Sequence, residues 1–409
     1  MNGTINTSTN SIHWKEVRSQ FNLNGAYIHL AQMLLASHPK QVREAIELHR
    51  NKLDDNPTEY YEKNYVAFET RARKAAADYM KADPEEVVLT DSTTMGLGLL
   101  FTGLKLKKGE EILTTAHDHY STEKAIEYAA LKNGASVRRV QLYTDSYNVN
   151  EEELIEKLIK AIQVATRVVA ITWVHSCTGV KLPVRQIAEA LKKINEQRTA
   201  EDRIYLCVDG VHAFGVENVS MKELGCDFFV AGTHKWIFGP RGTGILWGKK
   251  EAWDMLIPSI PAFSDLSYYM WTGAIPAGKI NFSDLHTPGG FHAFEHQWAL
   301  NEAFEFQMNI GKAKVEERTH RLSTLLKQGL KDIKHIRLYT PIDKALSCGI
   351  NCFDVEGMKA EEVVKKLHAK KIIASVTPYK AIYARLSPSI VNSEEEVRAC
   401  VKALEEILS

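Results

Sequence analysis

No run in these 409 residues is long and apolar enough to cross a bilayer, which takes about 20 such residues, so no transmembrane helix is expected. The opening MNGTINTSTN lacks an apolar core, so it does not read as a signal peptide and is expected to fray as a polar tail. Excess charge is missing too: Lys and Arg total 51, as do Asp and Glu, for a formal net charge of zero. That balance offers no field to gather nucleic acid or an anionic membrane, and it favours a small-molecule partner. Cysteine is sparse. Cys177, Cys207, Cys226, Cys348, Cys352 and Cys400 do not form two CxxC pairs, so no zinc site is expected. Cys207 and Cys226 lie in apolar runs where a thiol packs as a small hydrophobe, which suggests a reducing, cytoplasmic compartment. No Walker phosphate loop and no GxSxG elbow occurs.

What is present is the composition of an ordinary globular protein, 44% hydrophobic and 25% charged, able to bury a core without staples. The length implies more than one domain. From Glu85 onward short β-rich runs alternate with helical ones: strands at Glu85–Thr90, Glu111–Thr115, Val137–Leu142, Arg167–Trp173, Arg203–Val208, Asp227–Ala231 and Gly244–Gly248, with helices at Thr94–Leu104, Thr122–Lys132, Glu151–Ile162 and from Pro183 to Gln197. Past its arginine RVVAITW is an almost continuous apolar run, as expected of a strand covered on both faces. Such alternation predicts an α/β fold with a mainly parallel sheet and active-site residues at the carboxyl ends of its strands. After Gly290 the pattern changes to one long charged helix over Phe294–Leu330, then short strands and helices of a smaller α+β domain. We therefore expect an N-terminal tail and arm over 1–25, a large domain over 26–290 and a small C-terminal domain over 291–409. The stretch Asn24–Leu53 either packs beside the active site or crosses to a partner subunit.

Two segments carry the chemistry, DGVHAFG at Asp209–Gly215 and AGTHKWIFGPRGTGIL at Ala231–Leu246. Asp209 ends the apolar run IYLCV. A carboxylate buried there needs a partner, because an isolated charge in an apolar interior is very costly. A helix N-cap is one role, and holding a protonated pyridine nitrogen is another. Lys235 sits among Trp236 and Phe238, where burial favours the neutral amine that Schiff-base chemistry requires.

Taken together, D-G-x-H-A followed by G-T-H-K-W and G-P-x-G-x-G resembles the class V aminotransferase family of fold-type I pyridoxal-phosphate (PLP) enzymes, over roughly Tyr27 to Leu408. The resemblance implies a large PLP-binding domain, a Schiff base on Lys235 and Asp209 at the cofactor ring. It places Thr93 and Thr94, within STTMG, at the helix N-terminus that takes the phosphate, a physically sound place for an anion. It sets His119 against the cofactor ring, with His117 as its competitor, His212 at the phenolic oxygen and His234 near the phosphate. Ser176 stands where the family often carries asparagine, a departure from the pattern. Thr287 in HTPGG matches a residue that reaches the phosphate of a neighbouring subunit, which implies a homodimer with shared sites. Arg385 matches the residue that binds the substrate α-carboxylate, for which a guanidinium fork is well shaped. Arg241 adds a second charge near the lysine loop.

His292 and His296 share one helical face with Glu295 between, but the order is not H-E-x-x-H and no metal is expected. GPRGTG lacks the strand–GxGxxG–helix context of a nucleotide loop and reads as a turn. The segment Ile372–Ser387 has no cysteine, which argues against cysteine desulfuration. Its ASVTPY and RLSPS resemble the isopenicillin N epimerase-like group. The leading expectation is racemisation or epimerisation of an amino acid or a derivative, with Lys235 as one base and His119, Tyr120 or Tyr379 as candidates for the second. The alternatives are β-elimination or carbon–sulfur cleavage, and transamination. A binding protein on the same fold, or a metal-dependent hydrolase, fits Asp209, Lys235 and Arg385 less well. For the substrate side chain, Tyr268, Tyr269, Trp271 and Asn56–Tyr65 are the candidate lining.

Overall fold

The computed structural model describes residues 13–274 and 282–409, so the expected N-terminal fraying falls largely outside the described residues. The strands, in chain order, are β1 (Ile28–His29), β2 (Val87–Thr90), β3 (Glu111–Thr115), β4 (Ser136–Val140), β5 (Thr166–Thr172), β6 (Tyr205–Asp209), β7 (Phe228–Gly232), β8 (Gly244–Gly248), β9 (Ile336–Leu338), β10 (Asn351–Val355), β11 (Ile372–Ile373), β12 (Ser375–Val376) and β13 (Ala384–Leu386). Seven of them form one sheet in the order β2-β8-β7-β6-β5-β3-β4.

Pairing is parallel from β4 through β3, β5 and β6 to β7, and β8 runs antiparallel to both β7 and β2. The reversal has a simple cause. Only residues 233–243 join β7 to β8, with no helix among them, and a parallel crossover needs roughly a dozen or more residues and usually a helix. The inner strands are buried on both faces because most of their residues are apolar, and alternate residues serve opposite faces. Leu206, Val208 and Phe229 join one apolar cluster, whereas Cys207, Phe228 and Val230 join the other. The edge strand β4 is partly exposed and polar, and its Arg138 reaches back to Glu111 of β3 through two bonds of 2.7 Å. Helix Glu151–Lys160 shows how locally determined the covering layer is. Asn150 accepts from the Glu153 amide, three glutamates fill the first turn and Lys157 and Lys160 the last, all favourable to the helix dipole.

A second sheet, β12-β13-β10-β9, is wholly antiparallel and packs with helices Ala360–Ala369 and Glu394–Leu408 around its own apolar cluster. The stretch from Ile28 is tied to this part of the chain: β1 pairs with β11, the Leu30 amide donates to the Ile373 carbonyl (2.9 Å) and the Ser387 amide donates to Leu30 (2.7 Å). That anchoring carries Met33 and Leu34 to the edge of the candidate site.

The long helix expected over Phe294–Leu330 is three helices, Phe294–Trp298, Leu300–Ile310 and Lys312–Asp332, the last break falling at Gly311 with φ of 94°. Helices Lys40–Asp55 and Pro57–Met80 precede the sheet and were not read from the sequence. Among the described residues no helix is long and apolar enough to cross a membrane.

Candidate active site

Four strand ends and a hairpin loop converge on one cavity of about 280 Å³. Its lining includes Ser92, Thr93 and Thr94 after β2, His119 and Ser121 after β3, Thr172 and Ser176 after β5, Asp209 and His212 after β6, His234 and Lys235 after β7, and Pro378, Tyr379 and Arg385 from the second sheet. The carboxyl ends of the parallel strands thus supply most of the site, as the strand–helix alternation predicts.

Asp209 is the last residue of β6 and is buried. Gly210 after it is required by close packing, since a Cβ there would lie 2.0 Å from the Phe229 ring. Among the described residues the carboxylate accepts only from the Val211 amide (3.1 Å) and the Thr122 hydroxyl (3.3 Å). Burial pushes its carboxyl up to about 6, against the opposing pull of the Val211 amide and of Lys235.

Lys235 sits in the loop after β7, whose turn is closed by the Phe238 amide on the Lys235 carbonyl (3.0 Å) and the Gly239 amide on Thr233 (2.9 Å). Phe238 takes a left-handed φ of 58°, unusual for an aromatic residue, and its ring is held edge-on by Phe21 at 5.0 Å. The loop is therefore fixed by packing, and Lys235 with it. The ammonium lies 3.3 Å from His212 Nε2. Burial lowers its value to about 8, with Asp209 raising it and Arg385 lowering it further. Burial and the Lys235 charge keep the His212 imidazole neutral, and its Nδ1 has no partner among the described residues.

At the opposite wall Ser92 caps helix Thr93–Gly103 by accepting from the Met95 amide (3.1 Å), and the Thr93 hydroxyl accepts from the Gly232 amide (2.8 Å). Gly232 has to be glycine here, because a Cβ would come within 2.9 Å of both Thr93 Oγ1 and the His234 ring. His234 Nδ1 is buried without a partner among the described residues, and burial lowers its basicity.

His119 faces the cavity and His117 does not. His119 caps helix Tyr120–Asn133, its Nδ1 pairing with the Ser121 hydroxyl (2.7 Å), while His117 stacks on Tyr143 at 3.8 Å in a neighbouring cleft. Burial, then Lys235 and Arg385, lower the His119 value.

Arg385 in β13 is 2% exposed; its Nε donates to Ser375 Oγ and its Nη1 to the Ser176 carbonyl, each at 3.0 Å. Among the described residues no carboxylate pairs with it. Ser176 also bonds the Tyr379 hydroxyl at 2.9 Å.

Arg241 and Thr287 do not line this cavity. Arg241 is exposed and its carbonyl accepts from His296 Nδ1 (2.7 Å), and Thr287 is buried with its hydroxyl unpartnered among the described residues. Tyr268, Tyr269 and Trp271 and the segment 56–65 lie outside it as well. His292 bonds Gln297 (3.2 Å), so the two histidines of HAFEH serve different partners.

Sequence reasoning passed over Asp118, between the two histidines it weighed. This buried carboxylate accepts from the Thr114 hydroxyl (3.2 Å) and from the amide and hydroxyl of both Thr115 (3.1 and 2.5 Å) and Thr172 (2.8 and 2.5 Å). It ties the end of β3 to that of β5 and thereby positions His119. An acid just beyond an apolar strand, the signal used for Asp209, would have found it.

The family model for class-V aminotransferases matches residues 36–399. A probable cysteine desulfurase of Pyrococcus abyssi is 24% identical over 420 residues, covering 96% of this chain and 97% of the relative. The isopenicillin N epimerase of Streptomyces clavuligerus is 24% identical over 405 residues, covering 96% and 98%. Among solved structures, a mutant of C-DES with glycine covalently linked to its PLP cofactor superposes with a TM-score of 0.86 at 20% identity, covering 95% of this chain and 99% of that one.

Proposed function

The chain belongs to the class-V aminotransferase family of enzymes, and from that premise we propose that it holds PLP on Lys235 and racemises or epimerises an amino acid or amino-acid derivative at its α-carbon. The observation that carries the amino-acid reading is Arg385: a buried guanidinium that lines the Lys235 cavity with no carboxylate of its own among the described residues. Burying such a charge is expensive, and a substrate carboxylate would offset the cost with a bidentate pair.

The residues present fit PLP. An underbonded Asp209 suits the proton of the ring nitrogen. A Lys235 amine lowered to about 8 suits attachment of the aldehyde. The N-terminus of helix Thr93–Gly103 and the unpartnered Nδ1 of His234 suit the phosphate, and the unpartnered Nδ1 of buried His212 leaves a donor or acceptor for the phenolic oxygen. When bound, PLP draws electron density from the substrate α-carbon. The protein's own part is to anchor the α-carboxylate with Arg385, to seat His119 against the cofactor ring, and to move a proton between the α-carbon and Lys235 Nζ.

Among the described residues no cysteine lines the cavity, which supports the reading against desulfuration. His119 and Tyr379 line it in addition to Lys235 and supply the second proton-transfer group that inversion needs. A homodimer in a reducing cytoplasm, with a large cofactor-binding domain and a small C-terminal one, belongs to the same proposal. The mutually touching, exposed rings of Phe263 and Phe291 (6.3 Å) support the dimer.

The deciding experiment incubates the PLP-loaded protein with amino acids in deuterium oxide and reads the products by chiral chromatography with mass detection. The expected result is α-deuterium in both enantiomers with no net loss, absent in Lys235→Ala. Keto acid or fragments without the mirror image would replace racemisation by elimination or, where an amino acceptor is required, transamination.

A further inference from the structure

A second cleft, of about 770 Å³, lies directly behind the Lys235 cavity. Pro378 and Tyr379 line both. The rest of the partition is one residue thick, because neighbours in the chain face opposite ways. His119 and Ser121 line the cavity, while His117, Asp118 and Tyr120 line the cleft; Ser176 faces the cavity, while Cys177 and Thr178 face the cleft. Tyr379 closes the remaining gap. Its hydroxyl is tied by one side-chain bond to Ser176 (2.9 Å), and its ring meets His119 edge-on at 5.6 Å.

We propose that this cleft receives the substrate side chain, that the side chain is aromatic, and that Tyr379 is the partition it passes. The proposal rests on the reading that the Lys235 cavity acts on an amino acid. At about 280 Å³ that cavity falls below the roughly 300–1,000 Å³ of sites that enclose drug-sized ligands, so cofactor and amino-acid backbone leave little space for more. The wall at Ser176 and Tyr379 stands beside Arg385, where the α-carboxylate would be fixed, and so is the one the side chain meets first.

The cleft chemistry selects the class. Tyr120, Tyr143, Tyr339, Tyr379 and Tyr383 line it, offering ring faces and edges to another ring. Its fixed charges already have partners: Arg139 donates to Glu123 (2.6 Å) and Glu127 (2.8 Å), and Asp118 accepts from three threonine hydroxyls and two amides. Lys380 stands exposed at the rim. The partition is also built to yield. Thr377 closes the base of its loop, its hydroxyl donating to Ala381 (3.0 Å) and accepting from the Tyr383 amide (2.9 Å), so displacement is confined to 378–380 and breaks the Tyr379–Ser176 bond.

The test titrates the holoenzyme with alanine, glutamate, phenylalanine, tyrosine and tryptophan, reading Kd from the change in cofactor absorbance. The aromatic three are expected to bind about tenfold tighter than alanine. Ala381→Trp, which fills the cleft from an exposed position, should erase that preference and change alanine binding by less than about twofold; Tyr339→Ala, on the wall, should reduce it about fivefold. Alanine or glutamate binding as tightly as the aromatics would overturn the proposal, as would either variant weakening all five alike. An aromatic preference that responds to the variants without any inversion at the α-carbon would sustain the cleft and remove racemisation. No absorbance change with any of the five would overturn the cleft together with its premise.

Discussion

Asp118 and Asp209 are both buried at strand ends of one sheet, with Thr172 of β5 between them, bonded to the first and in register with the second. Among the described residues Asp118 accepts five hydrogen bonds and Asp209 two. The first carboxylate is consumed by the fold. The second is left short of donors in a place where burial already disfavours its charge. The cations repeat the contrast: buried Arg73 is neutralised by Glu69 (2.5 Å) and Asp284 (2.9 Å), whereas buried Arg385 has, among the described residues, a carbonyl and a hydroxyl and no carboxylate. Charge left unpaired in an otherwise satisfied interior marks where a ligand is meant to complete it.

Exchanging the carboxylates for amides or alanine separates the two roles. Asp209→Asn is expected to lower turnover by about a thousandfold, as loss of a preorganised charge at a reacting centre does. The same change should stabilise the cofactor-free protein. The Asp209 carboxyl lies at about 6 in the fold against an ordinary 3.8, so its burial costs about 3 kcal/mol once ionised. The sign follows from the raised value: the penalty is absent below about pH 4 and complete above about pH 6. Urea melts of wild type and variant should therefore diverge on going from pH 5 to pH 8, with the variant the more stable; parallel curves would mean the charge is already compensated.

Asp118→Ala should do the reverse, with stability falling by about 3 kcal/mol because several buried donors lose their acceptor. Loss of turnover should follow loss of fold, recovering at low temperature where the protein remains folded. If Asp118→Ala melts like wild type, the distinction between the two acids collapses. Arg385→Ala extends the contrast to the cations. It should raise KM by about 10- to 100-fold, the worth of a charge-assisted pair, while PLP loading is kept. Loss of the cofactor instead would reassign Arg385.

The comparison also explains what the sequence could reveal. Strands and covering helices were legible because each is written locally, as in the apolar RVVAIT of β5 or the Asn150 cap and charge order of Glu151–Lys160. The antiparallel turn of β8 was not, since it depends on what residues 233–243 fail to contain. Helices Lys40–Asp55 and Pro57–Met80 fell before the alternation that organised the reading. At the site, Asp209 and Lys235 stood out because each sits in an apolar setting ill suited to charge, and His119 could be preferred to His117. Asp118 carried the same local signal as Asp209, an acid just past an apolar strand, but its role was not legible, because its partners include Thr172 of β5, 54 residues away. The cleft behind Tyr379 was not legible because its walls come from distant stretches, 116–146, 177–178, Tyr339 and 378–383.

The smallest effect is the most discriminating. Lys235 lies at about 8, lowered by burial and held from falling further by Asp209. Only the neutral amine attaches an aldehyde, so the rate of PLP loading should rise about tenfold per pH unit up to about 8 and level off above it. The Asp209 charge holds the lysine value up, so in Asp209→Asn the break should move to lower pH. Asp118→Asn should leave it in place, because Asp118 spends its charge on threonines rather than on the lysine. Stopped-flow loading from pH 6 to 10 reads all three proteins. A common shift in both variants would mean that the two carboxylates act on Lys235 as one field, and the division between the acid that builds the site and the acid that works in it would have to be given up.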